Sequence, residues 1–433
     1  MRTIFHINDS LQNKISYWLL ACFLIALPYD HFYSELILVI FAVHTLIHLN
    51  KNRLKNIFTR PVLLVSAIFL LGAIGMLYSP DKPEAINVAT RQLAILVFPV
   101  LLSLNELDLE KYKWRLLMAF GYSCTGVIIY LFGDALHTIL YFHLPLSSLY
   151  SLAFMNHNFS LPIEMHATYL SLYVAFSISI FLYALSGKSV FKHKWLYIFC
   201  ILMLSLGMLQ LSSRAVFIAL VLVINFVFPL MLFSGRKRLR FFVSALLVSA
   251  LVFFVISNID SFRFRYISEL RKDLIDNAVV IEKTEPRMAR WEATLELVKR
   301  APMIGYGSGA EKELLKQMYF EKKFYNAYLN EFNAHNEYLS IQLKWGLVGL
   351  SLYCFILFAG ARIALKRKYL LFTAFMVIIA VVSVSENILD LNKGIFFYAF
   401  FFSFFLLMNR SKISNNSANL IGQEATPKTN NPF

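Results

Sequence analysis

WLYIFCILMLSLGMLQLSSRAVFIALVLVINFVFPLMLF, residues Trp195 to Phe233, is apolar almost from end to end. Its one interruption is Ser212-Ser213-Arg214, which leaves a long apolar run on either side. A helix needs about 20 residues, and no fewer than about 17, to cross the hydrocarbon core of a bilayer. Only helices and closed barrels satisfy their backbone groups in lipid, and these unbroken runs lack the period-2 alternation of a barrel strand. The stretch therefore reads as two membrane helices joined by a tight hairpin, with an arginine held at the lipid interface.

The same pattern recurs along the chain. Of 433 residues, 58% are hydrophobic and 15% charged, and the mean hydropathy is +0.60. A soluble domain lies nearer half apolar and a quarter charged. The fold class is thus an all-α polytopic membrane protein of about twelve spans. They lie near Ile15–Leu27, Glu35–Leu49, Pro61–Leu77, Ile86–Leu104, Arg115–Phe132, His166–Leu185, Trp195–Leu211, Ala215–Phe233, Phe241–Ile256, Glu337–Gly360, Tyr369–Ser385 and Gly394–Met408. The first apolar run follows a polar start and reads as a retained span, not a cleaved signal peptide.

Loop charge gives the orientation. Lys51/Arg53/Lys55/Arg60, Lys111/Lys113/Arg115, Lys188/Lys192/Lys194, Arg236/Lys237/Arg238/Arg240, Arg362/Lys366/Arg367/Lys368 and Arg410/Lys412 mark every second loop. Cytoplasmic loops hold Lys and Arg, so both termini are expected in the cytoplasm. This topology accounts for the net charge of +15 without nucleic acid as a partner. Cys22, Cys124, Cys200 and Cys354 all fall in apolar runs, with no CxxC, so neither a disulfide framework nor a thiolate metal site is indicated.

Two external segments exceed mere connections, Gly133–Met165 and the roughly eighty residues of Ser257–Asn336. The expected division is residues 1–256 for spans 1–9, 257–336 for a large helical periplasmic loop, 337–408 for spans 10–12 and 409–433 for a disordered cytoplasmic tail. Within the large loop, Thr284-Glu285-Pro286 starts a helix running to about Arg300, and a second spans Gly309 to Phe332. Gly305-Tyr306-Gly307-Ser308-Gly309 lacks the Lys-Ser/Thr of a P-loop and reads as a turn between them.

Candidate chemistry gathers on the outer side. His335-Asn336 stands at the mouth of the tenth span, and on a helix Gly346 falls nearly beneath His335, with Gly349 about 40° off that line. The two glycines then form a seam for close helix packing. The positive end of the helix dipole favours a neutral, proton-accepting imidazole, although an inert interfacial His has the same sequence appearance. Arg214 is costly at its depth and calls for an anionic partner, with snorkelling onto lipid headgroups as the bland alternative. Arg287 and Arg290, three apart, offer planar forks suited to phosphate oxygens, although taken alone a plain charged surface face explains them better. Arg91 near the outer end of the fourth span is a further phosphate contact or a snorkelling side chain. His157 and His166 flank the sixth span, and Glu386 and Asp390 occupy the last outer loop. No HExxH, GxSxG or Cys/His cluster appears in the outer segments, and no metal is required. An anion with several phosphate oxygens is the ligand that would use these groups together.

At these residues the chain resembles the O-antigen ligase family, membrane glycosyltransferases that include lipopolysaccharide ligases and Wzy-type polymerases. The likeness rests on His335-Asn336 with Gly346 and Gly349 after a long loop, on Arg290-Trp291 followed by Pro302-Met303-Ile304-Gly305-Tyr306-Gly307, and on Ser213-Arg214 at an outer hairpin. The resemblance implies transfer of a glycan from undecaprenyl diphosphate to lipid A–core at the periplasmic face, without metal, nucleotide or other cofactor. It makes His335 the base, Arg214 and Arg290 the diphosphate clamp, and Arg287, Arg91, His166 and Asn336 substrate contacts. A polymerase using a second lipid-linked glycan as acceptor would need the same donor and residues. Transfer to protein is a third outcome, and a lipid-linked sugar transporter is the reading from a different class.

Overall fold

The computed structural model describes residues 7–29, 31–188, 194–274 and 286–408. Among them the regular structure is helical throughout. In chain order the principal helices are α1 (Leu11–Ala26), α2 (His31–Ile47), α3 (Arg60–Leu77), α4 (Lys82–Leu104), α5 (Leu109–Tyr141), α6 (Ala167–Tyr183), α7 (Lys194–Leu211) and α8 (Arg214–Leu232). They continue as α9 (Gly235–Asn258), α10 (Arg287–Arg300), α11 (Glu311–Glu321), α12 (Glu337–Lys366), α13 (Leu370–Val382) and α14 (Asn392–Leu407). By length and composition α3 to α9 and α12 can cross a bilayer, while α1, α2, α13 and α14 are shorter apolar helices. This is the polytopic helical architecture expected from the sequence, with the polar helices α10 and α11 inserted between α9 and α12.

The core is built on α14. Its sequence NKGIFFYAFFFSFFLL carries phenylalanine on every face, as suits a helix surrounded by other helices. Phe400 meets Phe23 of α1 at 5.3 Å between ring centroids, and Phe401 meets Phe120 of α5 at 5.0 Å and Phe176 of α6 at 4.8 Å. Phe405 lies 5.2 Å from Phe372 of α13. Helix α9 is the opposite case, with Ala245 and Ile256 its buried side chains.

Connectors sort to the two ends of the bundle. At one end Arg53 donates to the Asn105 carbonyl, Arg367 donates to that of Phe405, and Lys111 pairs with Asp9 at 3.0 Å. The described chain begins and finishes at this basic end. At the other end lie the 78–82 turn, the 142–166 segment, the 211–214 hairpin, the polar layer of α10 and α11, and the 383–391 loop.

Helix α12 departs from the expected regular helix in two places. Asn336 is its N-cap, accepting from the Leu339 amide at 3.1 Å, and His335 precedes it with φ 46. The imidazole is therefore off the helix line, and Gly346 does not lie beneath it. Gly346 itself has φ 62 and ψ −158, a conformation open essentially to glycine alone, and it breaks the helix. A break inside a membrane helix frees backbone groups that must find partners. The 302–307 segment supplies them: Tyr306 and Gly307 amides donate to the Leu343 and Lys344 carbonyls at 3.1 and 2.8 Å, and the Leu347 amide donates to the Pro302 carbonyl at 2.8 Å. The glycine seam thus receives a strip of loop backbone instead of another helix.

Two expectations for the polar layer also change. The proposed start at Thr284 lies outside the described residues, and α10 runs from Arg287 to Arg300 behind Pro286. The second helix is two pieces, α11 and Tyr325–Leu329, separated where Lys323 takes φ 59. The 305–309 turn between helices is as expected, and it is anchored: Ser308 Oγ donates to the Gly72 carbonyl at 2.6 Å and accepts from Trp345 Nε1 at 3.0 Å.

A Cβ at Gly346 would stand 2.2 Å from the Met303 carbonyl carbon and oxygen. Gly346→Ala is expected to lose at least about 1–3 kcal/mol from backbone strain alone, with the overlap in addition. A thermal unfolding midpoint in detergent within a degree of wild type would contradict this account of the break.

Candidate active site

The 211–214 hairpin delivers Arg214 as the first residue of α8, and α10 delivers Arg287. Both guanidinium groups reach one carboxylate, Asp273, in the short helix Glu269–Leu274. Arg214 Nη2 lies 2.5 Å from Asp273 Oδ2, and Arg287 Nε lies 3.6 Å from the same oxygen. Arg287 also donates to the Ser385 carbonyl at 3.1 Å and stands 3.7 Å from Glu386 Oε1. The other oxygen of Glu386 is 3.5 Å from His335 Nδ1. Five segments separate in sequence thus form one chain of charge, Arg214–Asp273–Arg287–Glu386–His335.

The start of α6 closes a third side. Thr168 Oγ1 donates to Glu386 Oε1 at 3.4 Å. His166 caps α6, its Nδ1 accepting from the Thr168 amide at 3.3 Å, and its ring meets that of His157 edge-on at 4.1 Å. Burial pushes the His166 imidazole down to about 4, and His157, His335 and Arg287 add to this against the pull of Glu386. Burial alone would raise the Glu386 carboxyl, but the surrounding His335, Arg287 and His166 outweigh it and hold it at about 2. Glu386 is therefore an anion buried among cationic and imidazole groups.

Not every expected residue joins this cluster. Arg290, one turn along α10 from Arg287, is buried with its guanidinium 5.0 Å from the centre of the Phe332 ring. Phe332 in turn meets the His335 ring edge-on at 5.6 Å, so Arg290 stands behind the imidazole. Arg91 pairs with Glu84 on its own helix at 3.0 Å. The Asn336 side-chain oxygen is spent on capping α12, and the Asn336 backbone amide donates to Asn387 Oδ1 at 2.7 Å. Among the described residues no group of three His, Cys, Asp or Glu side chains is placed to hold a metal ion.

Beneath the cluster lies a buried ionic network. Lys344, 2% exposed, faces Asp390 at 3.1 Å and Glu311 at 3.2 Å. Glu311 accepts from Ser340 Oγ at 2.5 Å and from the Ala334 amide at 3.2 Å. Asp390 accepts from Asn333 and Asn387 side chains at 3.1 and 2.9 Å, and the Asn333 side chain accepts from the His335 amide at 3.0 Å. The membrane helices are thus not as free of charge as their apolar runs suggest, since Lys344 and Glu337 are buried in the head of α12. Sequence reading had no signal for Asp273 and only a faint one for Glu386 and Asp390, two acids four residues apart in a short outer loop.

Apolar helices of membrane length, with a rim where arginines and imidazoles meet buried carboxylates, define a multi-pass membrane protein. Residues 198–354 match the family model described as O-antigen ligase. Over that stretch the chain is similar to the O-antigen ligase family, in line with the resemblance carried by its His335, Arg290 and Arg214 motifs. The matched stretch runs from α7 to the middle of α12 and so holds Arg214, Asp273, Arg287, Arg290 and His335, while Glu386 lies beyond it. No curated protein matches the chain.

Lys344→Met would leave Asp390 and Glu311 buried without their cation. Breaking a buried pair in this way costs about 3–5 kcal/mol, so the variant is expected to unfold well below wild type in detergent. An unchanged midpoint would mean that the network does not hold the site together.

Proposed function

We propose that the protein transfers a glycan from undecaprenyl diphosphate to lipid A–core at the periplasmic face of the inner membrane, with both termini in the cytoplasm. The observation that carries this reading is the convergence of Arg214 and Arg287 on a single anionic group, Asp273, beside His335. Two guanidinium forks from separate helices suit the oxygens of a diphosphate. Arg214 and Arg287 are the clamp in this reading, and Arg290 supports Phe332 behind the base.

The acceptor hydroxyl oxygen attacks the anomeric carbon of the donor and forms the new glycosidic bond. The bond from that carbon to the diphosphate oxygen breaks, and its electron pair leaves with the diphosphate. Arg214 and Arg287 stabilise the charge that develops there. The hydroxyl proton passes to His335. The donor is already an activated diphosphate ester, so no nucleotide is consumed. In-line displacement from the opposite face inverts the anomeric centre.

The test is a reconstituted reaction of purified protein with undecaprenyl diphosphate-linked glycan and lipid A–core, in EDTA and without nucleotide. Glycan on lipid A–core with wild type and none with His335→Ala supports the ligase. Longer glycan left on the carrier means a polymerase instead, and no transfer to either acceptor by folded protein returns the chain to transport.

Removing one arginine from such a site costs about 3 kcal/mol of barrier, or about a hundredfold in rate. Arg214→Ala and Arg287→Ala are each expected to lose that much glycan transfer, with only partial rescue by Lys, which restores charge but not the fork. Full activity in either alanine variant would remove it from the clamp.

A further inference from the structure

We infer that Glu386 is a positioning residue for His335, fixing which ring nitrogen carries the proton and so leaving Nε2 to face the acceptor hydroxyl. The inference rests on the proposed role of His335 as base and adds a group that this reading does not require. Glu386 Oε2 stands 3.5 Å from His335 Nδ1. That Nδ1 is buried and meets no hydrogen-bond partner at closer range among the described residues, while the side chain as a whole keeps 23% exposure. One edge of the ring is thus turned inward to the carboxylate, and the remainder is open to approach. The distance is long for a hydrogen bond, as is common for catalytic pairs before substrate tightens them.

Glu386 is itself held in place. Its Oε1 accepts from Thr168 of α6 at 3.4 Å and lies 3.7 Å from Arg287 Nη2 of α10. The backbone on either side is tied as well, since the Ser385 carbonyl accepts from Arg287 and the Asn387 carbonyl accepts from Tyr169 at 2.8 Å. The ring is fixed from its other side by Phe332 and through the His335 amide by Asn333. A left-handed residue carrying a ring clamped between Phe332 and a buried carboxylate has few orientations available.

The chemistry follows from the sign of the charge. A carboxylate at Nδ1 holds the proton on that nitrogen, which leaves the Nε2 lone pair to accept from the acceptor hydroxyl. When Nε2 takes that proton the ring becomes cationic, and the anion beside it stabilises that form. The charged and titratable groups facing Glu386 are His335 from the segment before α12, Arg287 from α10, and His166 at the start of α6, with His157 behind. Arg287 and His166 do not replace the anion, because neither bears negative charge.

The experiment measures the pH dependence of kcat for glycan transfer by reconstituted full-length protein, comparing wild type, Glu386→Gln, Glu386→Asp and His335→Ala. A base acts in its unprotonated form and an adjacent anion favours the protonated one, so Glu386→Gln is expected to move the acid limb of the rate profile to lower pH. Its kcat at neutral pH should fall between about tenfold and a hundredfold. Glu386→Asp keeps the charge and is expected to lie between wild type and Gln in both measures, which also provides a reading should Gln fold poorly. A merely structural role would lower active protein without moving the limb. An acid limb unchanged in the Gln variant, or in the Asp variant with lowered kcat if only that one folds, would overturn the inference. Activity retained by His335→Ala would instead overturn the assignment of the base, and the two failures are separately visible.

Discussion

Lys344 brings an ammonium group to a point where 2% of it remains exposed, and the cost of desolvating that charge organises its surroundings. Its two partners come from different parts of the chain, Asp390 from the loop between α13 and α14 and Glu311 from the start of α11. Each acid is satisfied in turn by amides and hydroxyls, which is what makes a buried ion network tolerable. The consequence is positional. The lysine lies two turns below His335, Asp390 lies four residues after Glu386, and α11 packs against the helix that carries Arg287. One ionic junction therefore fixes the relative placement of three segments whose side chains meet above it.

The second constraint is the backbone break at Gly346. A membrane helix that opens at a glycine must have its freed amides and carbonyls bonded by something, and water is not available in lipid. The strip from Pro302 to Gly307 performs that service and continues into Ser308, whose hydroxyl is bonded both to α3 and to Trp345. The polar layer of α10 and α11 is thereby pinned to the bundle at the break and again at Lys344. Two anchorages hold a layer against rotation as well as lift, so Arg287 and His335 keep a fixed separation.

Much of this was legible in the sequence, and the limits have physical causes. Apolar runs of membrane length gave the helices because hydrocarbon thickness sets a length scale that the chain must meet. Arg214 stood out because an isolated charge in a long apolar stretch is conspicuous. Lys344 did not, because a single lysine near a helix end reads as snorkelling until its burial is known. His335 was placed on a helix that begins two residues later, and nothing in composition reveals a left-handed residue before a cap. Arg287 and Arg290 differ by about 60° around α10, and only the packing of that helix shows that Arg287 turns toward Asp273 and Glu386. Asp273 and Glu386 meet their partners across tens of residues, a separation over which sequence spacing carries no distance.

The electrostatics of the rim follow from these placements. Arg214 and Arg287 are not bare cations awaiting an anion, since Asp273 already lies against both and Glu386 against the second. Like charges from two helices could not be held this close in a low-dielectric setting without an acid between them. An incoming dianionic group therefore gains attraction to the guanidinium forks only by exchanging with Asp273 or by sharing them with it, and its net binding is the difference of two strong interactions. Glu386 stands differently, being held from three sides and turned toward an imidazole. The two acids thus divide the work of keeping a cationic rim folded, one beside the forks where an anion would arrive and the other behind the ring that would take up a proton.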